Sequence, residues 1–162
     1  MDTKELAPTL TTLFSELVHG GPVAGAYMLN AGDEGMLRAL ERLSAAAASA
    51  PTSTGSTIAA HVDHLRYGLS LMNRWSAGES PFRDADWSAS WKRTTVTDDE
   101  WRALRQALRD EATRWLEALA VPRRVQGVEL DGMIGSIGHF AYHLGAIRQI
   151  NSAIRGPAEQ SG

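Results

Sequence analysis

Five histidines and no cysteines set the range of chemistry open to this chain of 162 residues. His139 and His143 are spaced i, i+4, which on a helix stacks two imidazoles on one face, one turn apart. They lie within a run that is apolar on most sides: Met133, Ile134, Ile137, Phe140, Ala141, Leu144, Ile147 and Ile150. A single histidine in such surroundings reads as a hydrogen-bonded core residue. Two half-polar rings on one apolar helix need a common reason to be tolerated, because burying an unsatisfied polar group is costly. A shared divalent ion supplies that reason. HxxxH alone is a weak signal, and a third imidazole strengthens it. His61 sits beside the stripe Ile58, Val62, Leu65 and Leu69, so its ring is expected to point into the interior, where helix bundles build metal sites. His64 lies further round, near the edge of the same face, and is the alternative third ligand.

Three neutral imidazoles leave the charge of an ion intact and a coordination position open, the pattern of a catalytic rather than a closed structural site. Such an ion acidifies bound water or thiol. With no cysteine there is no disulfide, thiolate ligand or Cys nucleophile, so a thiol that enters the chemistry arrives with the substrate. Phe140, Ala141 and Tyr142 follow His139, so the glutamate of an HExxH protease is missing and metalloprotease activity is disfavoured. No catalytic residue beyond the ligands is assigned. Three imidazoles suit zinc, nickel, copper and iron alike.

The elements that must position these rings follow from periodicity. Leu6, Leu10, Leu13, Phe14 and Leu17 predict a short opening helix over residues 3–18, ended by His19, Gly20, Gly21 and Pro22. Asp33 is expected to cap a second helix bearing Met36, Leu37, Leu40 and Leu43, which fades in an alanine run. Ser56 or Thr57 caps a third, over residues 58–75, with Ile58, Val62, Leu65, Leu69 and Met72 on its inner face. Residues 78–96 lose the helical period around Trp87 and Trp91 and are expected to form an ordered surface crossing. Thr97 and Glu100 match a capping box for a fourth helix that buries Trp101, Leu104, Leu108, Ala112, Trp115 and Leu119. Pro122 and Gly127 precede a last helix over residues 130–154, whose all-round apolarity places it at the centre of a bundle. The expectation is one domain over residues 1–162: an N-terminal helix and connection over 1–30, a bundle over 33–154, and a loose tail over 156–162.

The net charge of −3, with Lys and Arg scattered among Asp and Glu, offers no basic stripe for phosphates, so nucleic acid is not expected as a partner. No apolar run approaches the ~20 residues that cross a bilayer, and the opening Met1-Asp2-Thr3-Lys4-Glu5-Leu6 lacks the design of a secretory signal. A cytoplasmic protein with no membrane partner is expected.

The segments H-V-D-H-L-R-Y at His61 and H-F-A-Y-H-L-G-A-I at His139 resemble the DinB/YfiT superfamily of bacterial four-helix-bundle proteins, and the resemblance covers most of the chain. It implies an all-α fold, a four-helix bundle of DinB/YfiT type with an extra short N-terminal helix. It also implies one metal-binding histidine on the second bundle helix and an HxxxHxGQ-like pair on the last. Carried over, the metal ligands are His61, His139 and His143, with Gly145 as the small residue after the pair. Ala146 stands where the family often has Gln, which removes any role of that side chain. His61 is preferred to His64 because Ile58-Ala59-Ala60-His61-Val62 is similar to the family's apolar run into the ligand. The resemblance further implies a zinc or nickel site, a homodimer, and a small-molecule substrate. Some members are similar to thiol S-transferases that use bacillithiol or mycothiol, others to mycothiol-dependent isomerases. The expected function is therefore a metal-dependent thiol S-transferase or hydrolase, the alternatives being a non-catalytic sensor or carrier on the same site and a helical interaction module whose histidines only pack.

Several other residues have two readings each. Asp63 and Tyr142 either orient a ligand or do something plainer, Asp63 facing solvent and Tyr142 making a bundle contact; Tyr67 is equally ambiguous. Trp87 and Trp91 either wall an organic-ligand pocket or pack as a hydrophobic lid on the bundle end, the lid being the simpler reading. Arg123 and Arg124 either attract a carboxylated thiol or are ordinary surface arginines.

Overall fold

The computed structural model describes residues 2–158 and contains no strand among them. Six helices follow in order: α1 (Ala7–His19), α2 (Gly35–Glu41), α3 (Ala45–Ala48), α4 (Ile58–Ser76), α5 (Asp98–Ala120) and α6 (Gly127–Ile150). Short 3-10 turns occupy Pro81–Asp84, Ala89–Trp91 and Ser152–Ile154. Of the expected loose tail, residues 159–162 lie outside the described residues.

Local chemistry accounts for the helix starts. Thr57 Oγ1 accepts the amide of Ala60 and opens α4, while Thr97 and Glu100 exchange bonds in a capping box at the head of α5. Ser44 adopts extended backbone and accepts the amide of Ala47, which separates α3 from α2 instead of letting one helix fade through the alanines. Asp33 stands one residue outside the N-cap of α2, yet its Oδ1 accepts the amide of Gly35.

The four long helices α1, α5, α4 and α6 pack in that cyclic order and give the all-α bundle expected from the sequence. The opening helix is one of the four, burying Leu10, Phe14, Leu17 and Val18, with Phe14 edge-on to Phe140 of α6 at 5.1 Å. On α5 the fully buried Trp115 donates from Nε1 to Ser136 Oγ of α6, and Trp101 donates to the Leu43 carbonyl. Buried indole N–H groups thus find partners, as they must in an apolar core.

α6 is not the central helix that its composition suggested. Met133, Ile137, Phe140, His143, Leu144 and Ile147 are buried, whereas Val128, Ile134 and Tyr142 are exposed, with Gly135 and Gly138 on the same outer side. Glycine counts as apolar in a pattern but presents little surface, so a glycine-lined face need not be covered. α6 also starts at Gly127 and stops at Ile150, where Asn151 turns extended.

The connection between α1 and α2 is fixed by two buried carboxylates. Glu16 accepts the amides of Tyr27, Met28 and Leu29 at 2.6 to 3.1 Å. Asp33 receives both terminal nitrogens of Arg148 of α6 at 2.7 and 2.8 Å. Gly20 (φ 107) and Gly35 (φ 72) let the two chain segments cross, since a Cβ on Gly35 would lie 2.4 Å from the Gly20 nitrogen. Among the described residues no helix is long and apolar enough to cross a membrane.

Arg148→Met leaves a buried carboxylate without its cation, which costs about 3 kcal/mol. Urea unfolding is expected to show that loss, with hydrogen exchange at Tyr27 to Leu29 unaffected until global unfolding; a variant as stable as the parent would remove the ion pair from the account of this connection.

Candidate metal centre

α4 and α6 run side by side and bring four imidazoles to one place. His61 and His64, one turn apart on α4, are both buried at 7% exposure, His143 is buried, and His139 is half-buried. His64 Nε2 and His143 Nε2 each lie 3.0 Å from His139 Nε2. Donor nitrogens of these three residues all fall within 4.8 Å of one another. His61 meets the group from behind, its Nδ1 on the Nδ1 of His143 at 2.7 Å.

The outer hydrogen bonds restrict the tautomers. Ser90 Oγ donates its single proton to the Trp87 carbonyl at 2.7 Å, because a carbonyl can only accept. It must therefore accept from His64 Nδ1–H, also at 2.7 Å. That leaves the Nε2 lone pair of His64 directed at the cluster. His143 reaches the same state when its Nδ1–H donates to His61 Nδ1.

Burial is the main reason that all four rings resist protonation. His143 is pushed down to about 3 and His64 to about 4, each first by desolvation and then by the neighbouring imidazoles. Desolvation also lowers His61 and His139. Asp63 opposes the shift of His64 as the smallest influence. Neutral rings with converging lone pairs are the form that a metal ion requires; the two 3.0 Å separations from His139 Nε2 approach the roughly 3.3 Å that tetrahedral Zn–N bonds of 2.0–2.1 Å impose, and the third pair lies within 4.8 Å. The donor set fits a divalent ion.

The crossing segment covers this cluster. Trp91 stacks on His64 at 4.4 Å and stands edge-on to His61 at 5.1 Å. Trp87 leans on His64 at 5.6 Å and is braced edge-on by Tyr67, whose hydroxyl accepts the Asp86 amide. Trp91 acts as a lid, whereas Trp87 walls a cavity of about 290 Å³ that also reaches His64 and His139. The two tryptophans divide the two roles between them.

Three other expectations change. Asp63 is buried, not solvent-facing: it pairs with Arg66 at 2.7 Å and with Arg93 at 3.2 Å, tying the crossing segment to α4. Tyr142 is 69% exposed, its ring 5.0 Å from that of its chain neighbour His143. Arg123 is held at the opposite end of the bundle, bonded to the carbonyls of Ala118 and Ser76 and lying over Trp75, while the backbone of Arg124 pairs antiparallel with that of Asp2. Ser76 is twelve residues from His64, about 18 Å along the helix axis, so Arg123 plays no part near the histidines. Gly145 is exposed and Ala146 half-buried. Ser90 was not foreseen, since nothing in the spacing distinguishes it from Ser88, the other serine between the two tryptophans.

The family model of the DinB superfamily matches residues 28–145, a stretch that includes all four clustered histidines and begins after α1. No curated protein and no solved structure matches the chain.

Because the folded rings stay neutral at a pH where unfolded imidazoles, with pKa near 6.5, take up protons, the unfolded state binds more protons as pH falls. The stability contributed is complete above about 6.5 and is lost on the way down to the folded values of about 4 and 3. Metal-depleted protein is therefore expected to lose urea stability between pH 6.5 and 5, where carboxylates are still largely ionised. Constant stability across that window would mean that the rings titrate normally.

Proposed function

The chain belongs to the DinB superfamily, and from that membership and the converging ring nitrogens we propose that it is a metal-dependent protein in which His64, His139 and His143 hold a divalent ion. The observation that carries this reading is the approach of His64 Nε2 and His143 Nε2 to His139 Nε2, 3.0 Å each, with the outer nitrogens of His64 and His143 already engaged by Ser90 and His61. His61, favoured as third ligand by its position in the sequence, is engaged through Nδ1 with His143. That contact supports a different role for it, which is to fix the tautomer and orientation of a ligand, as partners of metal-bound histidines do. Ser90 acts in the same way on His64.

When bound, the ion supplies Lewis acidity that makes water or a small thiol nucleophilic near neutral pH. Three protein ligands leave a position open for that nucleophile. The chain itself excludes water through Trp91 and offers a cavity beside the ligands. These features support an enzyme that transfers or hydrolyses a group on a small molecule. With no cysteine in the chain, a transferred thiol is a second substrate; bacillithiol or mycothiol, zinc or nickel, and a homodimer are the assignments that family membership favours. A sensor or carrier differs in one respect, binding metal tightly without turnover on a broad panel of thiols and electrophiles.

Elemental analysis of protein purified without a His tag tests the ligand set. The parent is expected to hold close to one ion per chain, and His64→Ala, His139→Ala and His143→Ala to lose it while keeping helical content. His61→Ala and Ser90→Ala should retain the ion at saturation but yield it to a competing chelator with affinity weakened about 10- to 100-fold. Metal retained by His64→Ala and lost from His61→Ala would put His61 in the ligand set instead.

A further inference from the structure

The cavity next to the histidines is built almost entirely of carbon. Among the described residues that line it there is no Lys, Arg, Asp or Glu. Ser136 is the one hydroxyl, and it is occupied: its Oγ accepts from Trp115 Nε1 and donates to the Met133 carbonyl. The remaining side chains with polar atoms are His64 and His139, two of the three converging imidazoles, and Trp87, which turns the carbon edge of its indole (Cζ3 and Cη2) toward Gly68. A ligand in this space therefore meets apolar walls everywhere except at the histidine end. A charged or many-hydroxyl group would lose its hydration and gain nothing for it.

Glycines create much of the space. Gly68 on α4 and Gly132 and Gly135 on α6 all border the cavity, although glycine inside a helix is less favourable than alanine. Sterics do not require them. A Cβ at Gly135 would meet nothing within 4 Å, one at Gly132 only Met72 Cε at 3.8 Å, and one at Gly68 would rest on Trp87 and His139 at 3.5 to 3.8 Å. The open side carries aromatic surface, Phe82 at 47% and Trp87 at 41% exposure. The volume of about 290 Å³ is close to twice the ~150 Å³ of an apolar protein cavity that takes up benzene.

Resting on the metal-centre reading above, we propose that the substrate of this centre is an uncharged, apolar small molecule, with a ring system of about ten heavy atoms seated between Trp87, Phe82 and the glycines of α6. Its reacting end faces His64 and His139. The polar remainder of any thiol co-substrate lies outside this cavity.

Naphthalene, with ten carbons and no charge, is the first probe, and 2-naphthalenesulfonate its charged counterpart. Tryptophan fluorescence titrations on metal-loaded protein are expected to show naphthalene binding at least tenfold tighter than the sulfonate. Gly135→Leu should weaken naphthalene at least tenfold, and Phe82→Ala, at an exposed position that folding tolerates, at least threefold, both with unchanged metal per chain. In cobalt(II)-loaded parent, 2-naphthalenethiol should change the visible spectrum, and in Gly135→Leu only at tenfold higher concentration. Sulfonate binding as tight as naphthalene, naphthalene binding indifferent to both variants, or a cobalt spectrum equally sensitive in parent and Gly135→Leu would each overturn the assignment. Naphthalene selectivity in a parent that takes up no metal would instead sink the metal reading and with it the claim that this ligand is a substrate of a metal centre.

Discussion

Four imidazoles from two helices meet in a largely buried space, three of them buried and His139 half-buried, and ring nitrogens taken out of water there need partners. The fold assigns the outer nitrogens to fixed neighbours, Ser90 for His64 and His61 for His143, and turns the remaining Nε2 atoms toward His139. A buried polar network is stabilising only when its members are satisfied. That requirement explains why a surface crossing with no helical period is nevertheless ordered: Ser90 and Trp91 have to arrive at the rings, and they do so on a 3-10 turn held by Asp86, with Arg93 anchored on Asp63.

The rest of the bundle keeps α4 and α6 in the register that this meeting demands. α5 packs along α4, α1 packs against α5 and α6, and Phe14 and Phe140 fix the α1–α6 contact one helical turn from His143. Trp115 crosses the core to Ser136, which settles the only hydroxyl among the described residues bordering the cavity. The Asp33–Arg148 pair holds the α1–α2 connection on α6, a little more than one turn beyond His143. Each of these contacts is ordinary by itself; together they make the separation of the two histidine-bearing helices a rigid quantity, which a metal site needs if ligand nitrogens are to be held within about 0.5 Å.

The region around the histidines departs from what stability alone would select. Helical glycines stand where alanine fits, and three titratable rings are buried and a fourth half-buried where aliphatic side chains would pack. Trp87 and Phe82 keep a large part of their surface in solvent beside an apolar cavity. These departures cluster along residues 61–68 of α4 and 132–143 of α6, as expected where local consistency is given up for a ligand.

The amino-acid sequence by itself determined the elements and most of the chemistry. Helical periodicity located α1, α4, α5 and α6, the capping signals at Thr57 and Thr97 located two of their starts, and the HxxxH spacing put His139 and His143 on one face. It did not separate His61 from His64, because both positions face inward on α4 and are equally buried; which ring turns its Nε2 toward His139 depends on the rotation and depth of α4 against α6. Nor did it foresee Ser90, the ion pairs of Asp63, or the division of roles between Trp87 and Trp91, all of which follow from where an aperiodic segment lands. Periodicity reports which face of a helix is buried, and only tertiary packing decides what that face meets.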